Sequence, residues 1–365
     1  MSSRSIMNPL YSLLKATTRS YNPTEVVRLF ARVGRGRVLA LSKVLADYIS
    51  QNLPRAISRR DGLADYRTNP YVLLTSSHVM KLASPEDFAS FLFNNKLYMG
   101  LETSFGKSIE TVILGQYPLN ATASGKWIDP PEKLEEAASL IGLSRERKAR
   151  KRSQSVWREV DKSCIVGHRR YLVSIKSGPN CINDTQVQAM TDAISAHHSD
   201  WLGQTRQTYP RVNCLDIIIG LTYGTERTTN NKENQILVKL LESDFIEEDR
   251  AASPGVLISK RGRTVRVYRQ VGQAFWATIG NPSQPLRSQF VYLEVLLALS
   301  KALSIAEKQM DSETSINLKL EALCVALRGL KFPRQTLPSW VADSFSTDEL
   351  FWFATALSAF YDNGI

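Results

Sequence analysis

The chain has 365 residues, 43% of them hydrophobic and 22% charged, and 46 Lys and Arg face 35 Asp and Glu for a net charge of +11. Length and composition are ordinary for a soluble globular protein with one large domain or two, so the basic excess is the informative quantity. It favours polyanionic partners, nucleic acid first and a membrane surface as the rival. Four cysteines (Cys164, Cys181, Cys214, Cys324) form no CxxC pair, which argues against a zinc finger or a disulfide scaffold and for a reducing cytoplasm.

Residues 1–95 read as a helical N-terminal region, for DNA contact or dimerisation, followed by a core over 96–365. The N-terminus MSSRSIMNPLYSLLK has no sustained apolar run or small-residue cleavage site, so secretion is not expected. Thr24–Phe30 and Val38–Ile49 carry apolar residues at helical spacing. Arg28, Arg32, Arg35 and Arg37 surround Gly34 and Gly36, either as a DNA-backbone loop or as a solvated basic linker. Ser84-Pro85-Glu86-Asp87 starts a helix, with Pro in the first turn and acids at the positive end of the dipole. Thr103–Leu114 reads as a further helix, with Glu102 just before it and Glu110 well inside it, beside an apolar stripe. On spacing alone a Glu at such a position is more often a surface residue.

Arg145–Arg152, RERKARKR, is the densest charge run. From Arg145 to Arg170 ten Lys/Arg face three acids, so the run serves as a solvated helix face, a phosphate contact, or both. Val160–Val166 and Arg170–Ser177 then form a hairpin about Gly167-His168-Arg169. The second strand stops at Ser177-Gly178-Pro179-Asn180, and Asn183 or Asp184 caps a helix over Thr185–Ala196. Cys214–Leu221 is a buried central strand and Val265–Val271 a half-exposed one. The C-terminal third is helical over Phe290–Gln309, Ile316–Arg328 and Asp348–Phe360, the last with Ser346 and Glu349 at capping-box spacing. Phe290–Leu303, the longest apolar stretch, is too short to span a bilayer. The order of elements implies a mixed α/β or α+β fold, a central mixed sheet flanked by helices.

In that hairpin the start of the first strand faces the end of the second, which brings Asp161 toward Lys176. A carboxylate that holds a divalent metal beside an ammonium group is a workable phosphodiester-cleaving pair, and magnesium suits oxygen ligands. No GxGxxG or Walker pattern occurs, so no nucleotide cofactor is expected. Cys164, His168, His197 and His198 lack a second ligand pair and read as core or surface residues.

Asp161 and Ser174-Ile175-Lys176 resemble the bipartite motif of the PD-(D/E)XK nuclease superfamily. With Ser177-Gly178-Pro179-Asn180 they form IKSGPN, similar to the PmeI-like group of type II restriction endonucleases. Gly106–Glu110, Gly220–Gly224, Gly272–Trp276 and the ending Phe360–Ile365 are similar to that group as well, over roughly residues 70–365. The resemblance implies a restriction-endonuclease-like core and Mg²⁺-dependent, sequence-specific cleavage of double-stranded DNA by a homodimer in a bacterial cytoplasm. It assigns catalysis to Lys176, Asp161, Glu110 and the Ser174 position, and a metal shell to Asp161, Glu110 and the carbonyl of Ile175. Ser174 stands where the superfamily has an acid, so Glu110, or in reserve Glu102, supplies the missing charge, with Glu159 the alternative to Asp161. In that reading the charge run holds DNA phosphates through Arg145, Arg147, Lys148, Arg150, Lys151 and Arg152, and the resemblance turns the loop of Asn180 and Asn183 toward DNA. Ser174 keeps a second class open, an inactive DNA-binding protein on the same fold, and a structure-specific repair nuclease is a third reading.

Overall fold

A computed structural model describes residues 28–58, 66, 69–82, 84–118, 125–178, 181–225, 228–248, 255–307, 312–330 and 337–357. Asn180 and most of Thr24–Phe30 lie outside them. In chain order the elements are α1 (Arg35–Ser58), α2 (Pro70–Met80), α3 (Pro85–Ser108), a π-helical turn (Ile109–Ile113), α4 (Pro131–Ala138), α5 (Arg145–Ser153), β1 (Lys162–Val166) and β2 (Arg169–Lys176). They continue with α6 (Asp184–Thr208), β3 (Cys214–Leu221), α7 (Lys232–Leu241), β4 (Phe245–Glu247), β5 (Leu257–Ser259), β6 (Val265–Val271) and α8 (Gln273–Gly280). Helices α9 (Val291–Glu307), α10 (Ser312–Arg328), α11 (Ser339–Ser344) and α12 (Thr347–Leu357) end the described chain.

The chain forms two compact units, each built from two stretches: Met1–Ser42 with Glu110–Ser300, and Lys43–Ile109 with Lys301–Ile365. Residues 95 and 96, where the sequence reading divides the chain, both fall inside α3.

The first unit holds a six-stranded mixed sheet in the order β1-β2-β3-β6-β5-β4, flanked by helices. β1 and β2 form the antiparallel hairpin, turning on Gly167 at φ +64, a left-handed geometry that favours glycine. β2, β3 and β6 run parallel, with Lys176 opposite Leu221 and Leu221 opposite Val271, so three strands end together. Alternate residues of β3 (Leu215, Ile217, Ile219, Leu221) pack with Val187, Met190 and Ile194 of α6 and with Ile236 and Leu240 of α7. Each such aliphatic side chain contributes roughly 1.5–3 kcal/mol by leaving water. The opposite face of β3 presents Gly220, and the Phe275 ring of α8 fills the space a side chain there would need.

α6 starts where its cap dictates. Asn183 accepts from the Gln186 amide and the Gln186 side chain accepts from the Asn183 amide, a capping box.

The second unit is helical, with Tyr66, Leu73, Phe88, Leu92, Leu327 and Trp352 in its core. Ser84 and Asp87 form the capping box that opens α3, and Ser346 and Glu349 form the one ahead of α12. Pro285–Ala306 is long and apolar enough to cross a membrane by length and composition, once the turn before α9 is included. Inside it, buried Glu294 accepts from Arg37, the Gly34 amide and the Tyr117 hydroxyl. Arg37 of the basic N-terminal cluster is therefore an ion-pair partner of Glu294.

Candidate active site

The site lies at the open end of the hairpin. Asp161 precedes β1 by one residue, yet its amide still donates to the Val173 carbonyl at 2.8 Å, which holds it in line with the ladder. Its Oδ2 accepts from the Ile175 amide at 2.6 Å. Among the described residues Oδ1 accepts no hydrogen bond. The N–H and C=O of one strand residue point to the same edge, so the Ile175 carbonyl lies on the Asp161 side of β2. Burial raises the Asp161 carboxyl above its ordinary range, with Glu159 adding to the shift. The Ile175 hydrogen bond and the charges of Lys176 and Lys133 oppose it.

Lys176 ends β2, mostly buried, 4.0 Å from Oε2 of Glu159. Glu159 is thus the carboxylate in direct ion-pair range of the lysine, while Asp161 feels the same ammonium from farther away. The other Glu159 oxygen lies 3.4 Å from Arg158.

Glu110 sits in the π-helical turn, half-buried. Such widened turns are rare and frequent at functional sites. Its carboxyl is raised by burial first and by the charge of Asp161 next, with Lys162 and Lys133 pulling it back. Glu110 and Asp161 therefore share one electrostatic environment although 51 positions separate them in sequence. Glu102 lies inside α3, and the expected helix Thr103–Leu114 is instead the end of α3 followed by the π turn and a 3₁₀ turn.

Ser174 shares the strand face of Lys176 by alternation, but it is buried and its hydroxyl lies 4.0 Å from the Met190 sulfur. It is packed against the core helix α6. Sequence reasoning missed Lys133, whose ammonium donates to the Val160 carbonyl at 2.6 Å and whose charge acts on both raised carboxyls. No periodicity marks it, because the fold alone brings α4 to the hairpin. Among the described residues no group of three or more His, Cys, Asp or Glu is arranged to hold a metal ion.

The glycine and aromatic segments converge at the shared end of the parallel strands. A Cβ on Gly178 would meet the Tyr223 ring at 2.3 Å, and one on Gly272 would meet the Gly224 carbonyl at 2.3 Å. Thr222 donates from Oγ1 to Ser177 O at 2.8 Å, and the Trp276 indole donates to Thr222 O at 2.8 Å. In parallel sheets this carboxyl end is the usual place for ligands.

Arg145, Arg147, Arg150, Lys151 and Arg152 are exposed on α5 and Lys148 is half-buried, on a helix capped by Ser144. The side-chain oxygen of Asn183 is engaged in the α6 cap. No family model and no curated protein matches the sequence.

Proposed function

We propose that the chain is a magnesium-dependent endonuclease of the PD-(D/E)XK type, with a restriction-endonuclease-like core, cutting double-stranded DNA at specific sites as a homodimer in a bacterial cytoplasm. The observation that carries this reading is the electrostatic convergence of Glu110, Asp161 and Lys176 at one end of the β1–β2 hairpin. The knitting of Gly178, Tyr223, Gly224, Gly272 and Trp276 into adjoining loops supports it.

The donor set fits magnesium, which binds through one or two carboxylates and keeps waters of its own. Glu110 and Asp161 are the two carboxylates, the Ile175 carbonyl is the neutral oxygen, and Ser174 adds nothing. When bound, the ion supplies charge neutralisation and a more acidic water. The chain's own part is positional. The Ile175 amide fixes the Asp161 carboxylate, and Glu159 holds Lys176 where its ammonium meets an anionic phosphate and orients the attacking water.

Plasmid digestion with Mg²⁺ and with chelator is the test. Discrete fragments from the native chain, and loss of cleavage by at least about a hundredfold with retained duplex binding in Lys176→Ala, are expected. Cleavage by Lys176→Ala at the native rate would defeat the assignment. The burial of Ser174 under Met190 favours a second reading, a DNA-binding protein without activity. That protein shifts duplex in a gel and leaves it uncut with Mg²⁺ present.

A further inference from the structure

A cleft of about 380 Å³ opens between α4, α5 and the segment that follows α5. Its walls carry Lys133, Lys151, Arg152 and Arg158 against one carboxylate, Glu136, which accepts a hydrogen bond from Ser155. Among the described residues Lys151 and Arg152 make no ion pair. The cleft therefore keeps more positive charge than its one wall carboxylate offsets.

Two wall residues connect it to the carboxylate site. Lys133 acts on Asp161 and Glu110 while holding the Val160 carbonyl. Arg158 reaches one oxygen of Glu159, whose other oxygen faces Lys176. Arg145, Arg147 and Arg150 do not line the cleft, so only the C-terminal end of the basic helix faces it.

We propose that this cleft is a phosphate subsite that seats a backbone phosphate of duplex DNA next to the one presented to Asp161 and Lys176. The inference rests on the nuclease reading and adds a division of labour within α5. A guanidinium on a concave wall makes charge-assisted, paired hydrogen bonds to phosphate oxygens, and the lysine beside it adds a second charge to the same phosphate. Residues on the outer part of α5 meet phosphates only through screened solvent.

The experiment uses the full chain, a fluorescent duplex that the native protein binds, and chelator, so that cleavage plays no part. Lys151→Gln with Arg152→Gln is expected to lower affinity about tenfold and to reduce the slope of log K against log salt by about 2. Arg145→Gln with Arg147→Gln, on the same helix outside the cleft, is expected to cost less than about threefold. Equal losses in the two double variants, or no loss in the first, overturn the subsite and leave the nuclease reading standing. A native chain that binds no duplex overturns both. Inorganic phosphate at constant ionic strength separates the sources: saturation at micromolar concentration, lost in Lys151→Gln with Arg152→Gln, marks a free-phosphate site and overturns the backbone assignment.

Discussion

The Ile175 amide donates to Oδ2 of Asp161 at 2.6 Å, so the strand that carries Lys176 also holds the carboxylate proposed to work with it. Burial raises the Asp161 carboxyl, which means that the folded chain binds its proton more tightly than the unfolded chain does. Stability from this group is then present at low pH and declines as pH rises through the folded-state pKa. Asn keeps an acceptor for the Ile175 amide and carries no charge. Asp161→Asn is expected to leave stability at pH 7 unchanged or to raise it by up to about 1 kcal/mol, with the gap closing in acid, while cleavage is lost. Thermal melts across pH check this. A loss above about 2 kcal/mol at pH 7 contradicts the burial argument.

Burial raises both the Glu110 and the Asp161 carboxyls, and the charge of Asp161 raises Glu110 further, so both titrate above the ordinary carboxylate range of about 4. If both must be ionised to act, the acidic limb of the cleavage profile lies above that range. Lys133 lowers both carboxyls. Lys133→Met is expected to move the limb to still higher pH, and ¹³C titration of the side-chain carboxyls gives the same answer without activity. A limb that stays in place removes Lys133 from the site.

Much of the fold is legible in sequence where local chemistry decides. The hydrophobic run of β3, the Gly167 turn, the helix start at Ser84, the cap at Asn183 and the capping box at Ser346 all match the structure. The helix α7 is not legible in the sequence. Its apolar residues Ile236, Leu237 and Leu240 cover only one narrow face, which the sheet makes meaningful. β4 and β5 are three residues each and draw their identity from neighbouring strands. At the site, Asp161 and Lys176 follow from hairpin geometry. Glu110 lies in a π turn that no residue spacing announces, and Ser174 turns to Met190 for reasons that only α6 packing reveals.

Arg170 is a buried cation that supports the hairpin from beneath. Its guanidinium makes a two-pronged pair with Glu132 at 2.7 and 2.8 Å, bonds Thr205 at 2.8 Å, and stacks 5.2 Å from the Trp157 ring. Burial alone raises the Glu132 carboxyl, but the bond and charge of Arg170 outweigh it and hold the group below its ordinary range. The pair therefore stabilises the fold above the unfolded carboxylate pKa, and that contribution is lost as pH falls through the folded value. Arg170→Ala leaves Glu132 unpaired and is expected to cost about 3–5 kcal/mol at pH 7 and less in acid. Denaturant unfolding at two pH values checks it, and a pH-independent loss would mean that packing against Trp157 dominates.

Gly272 joins β6 to α8 at φ +54 and ψ −116, a conformation costly for any residue with a Cβ. Its amide donates to Leu221 O at 2.9 Å, and an added Cβ would lie 2.3 Å from the Gly224 carbonyl. Main chain cannot yield there as a flexible side chain does, because the same loop carries Thr222, the acceptor of the Trp276 indole. Gly272→Ala is expected to cost roughly 3 kcal/mol, strain and displacement together. Gly203, exposed within α6 with nothing near its Cβ position, is the control. Gly203→Ala should stabilise by about 0.5–1 kcal/mol, since alanine gives up less chain entropy in a helix. Equal destabilisation by the two substitutions would show that the loop contact imposes no special constraint on the end of the parallel strands.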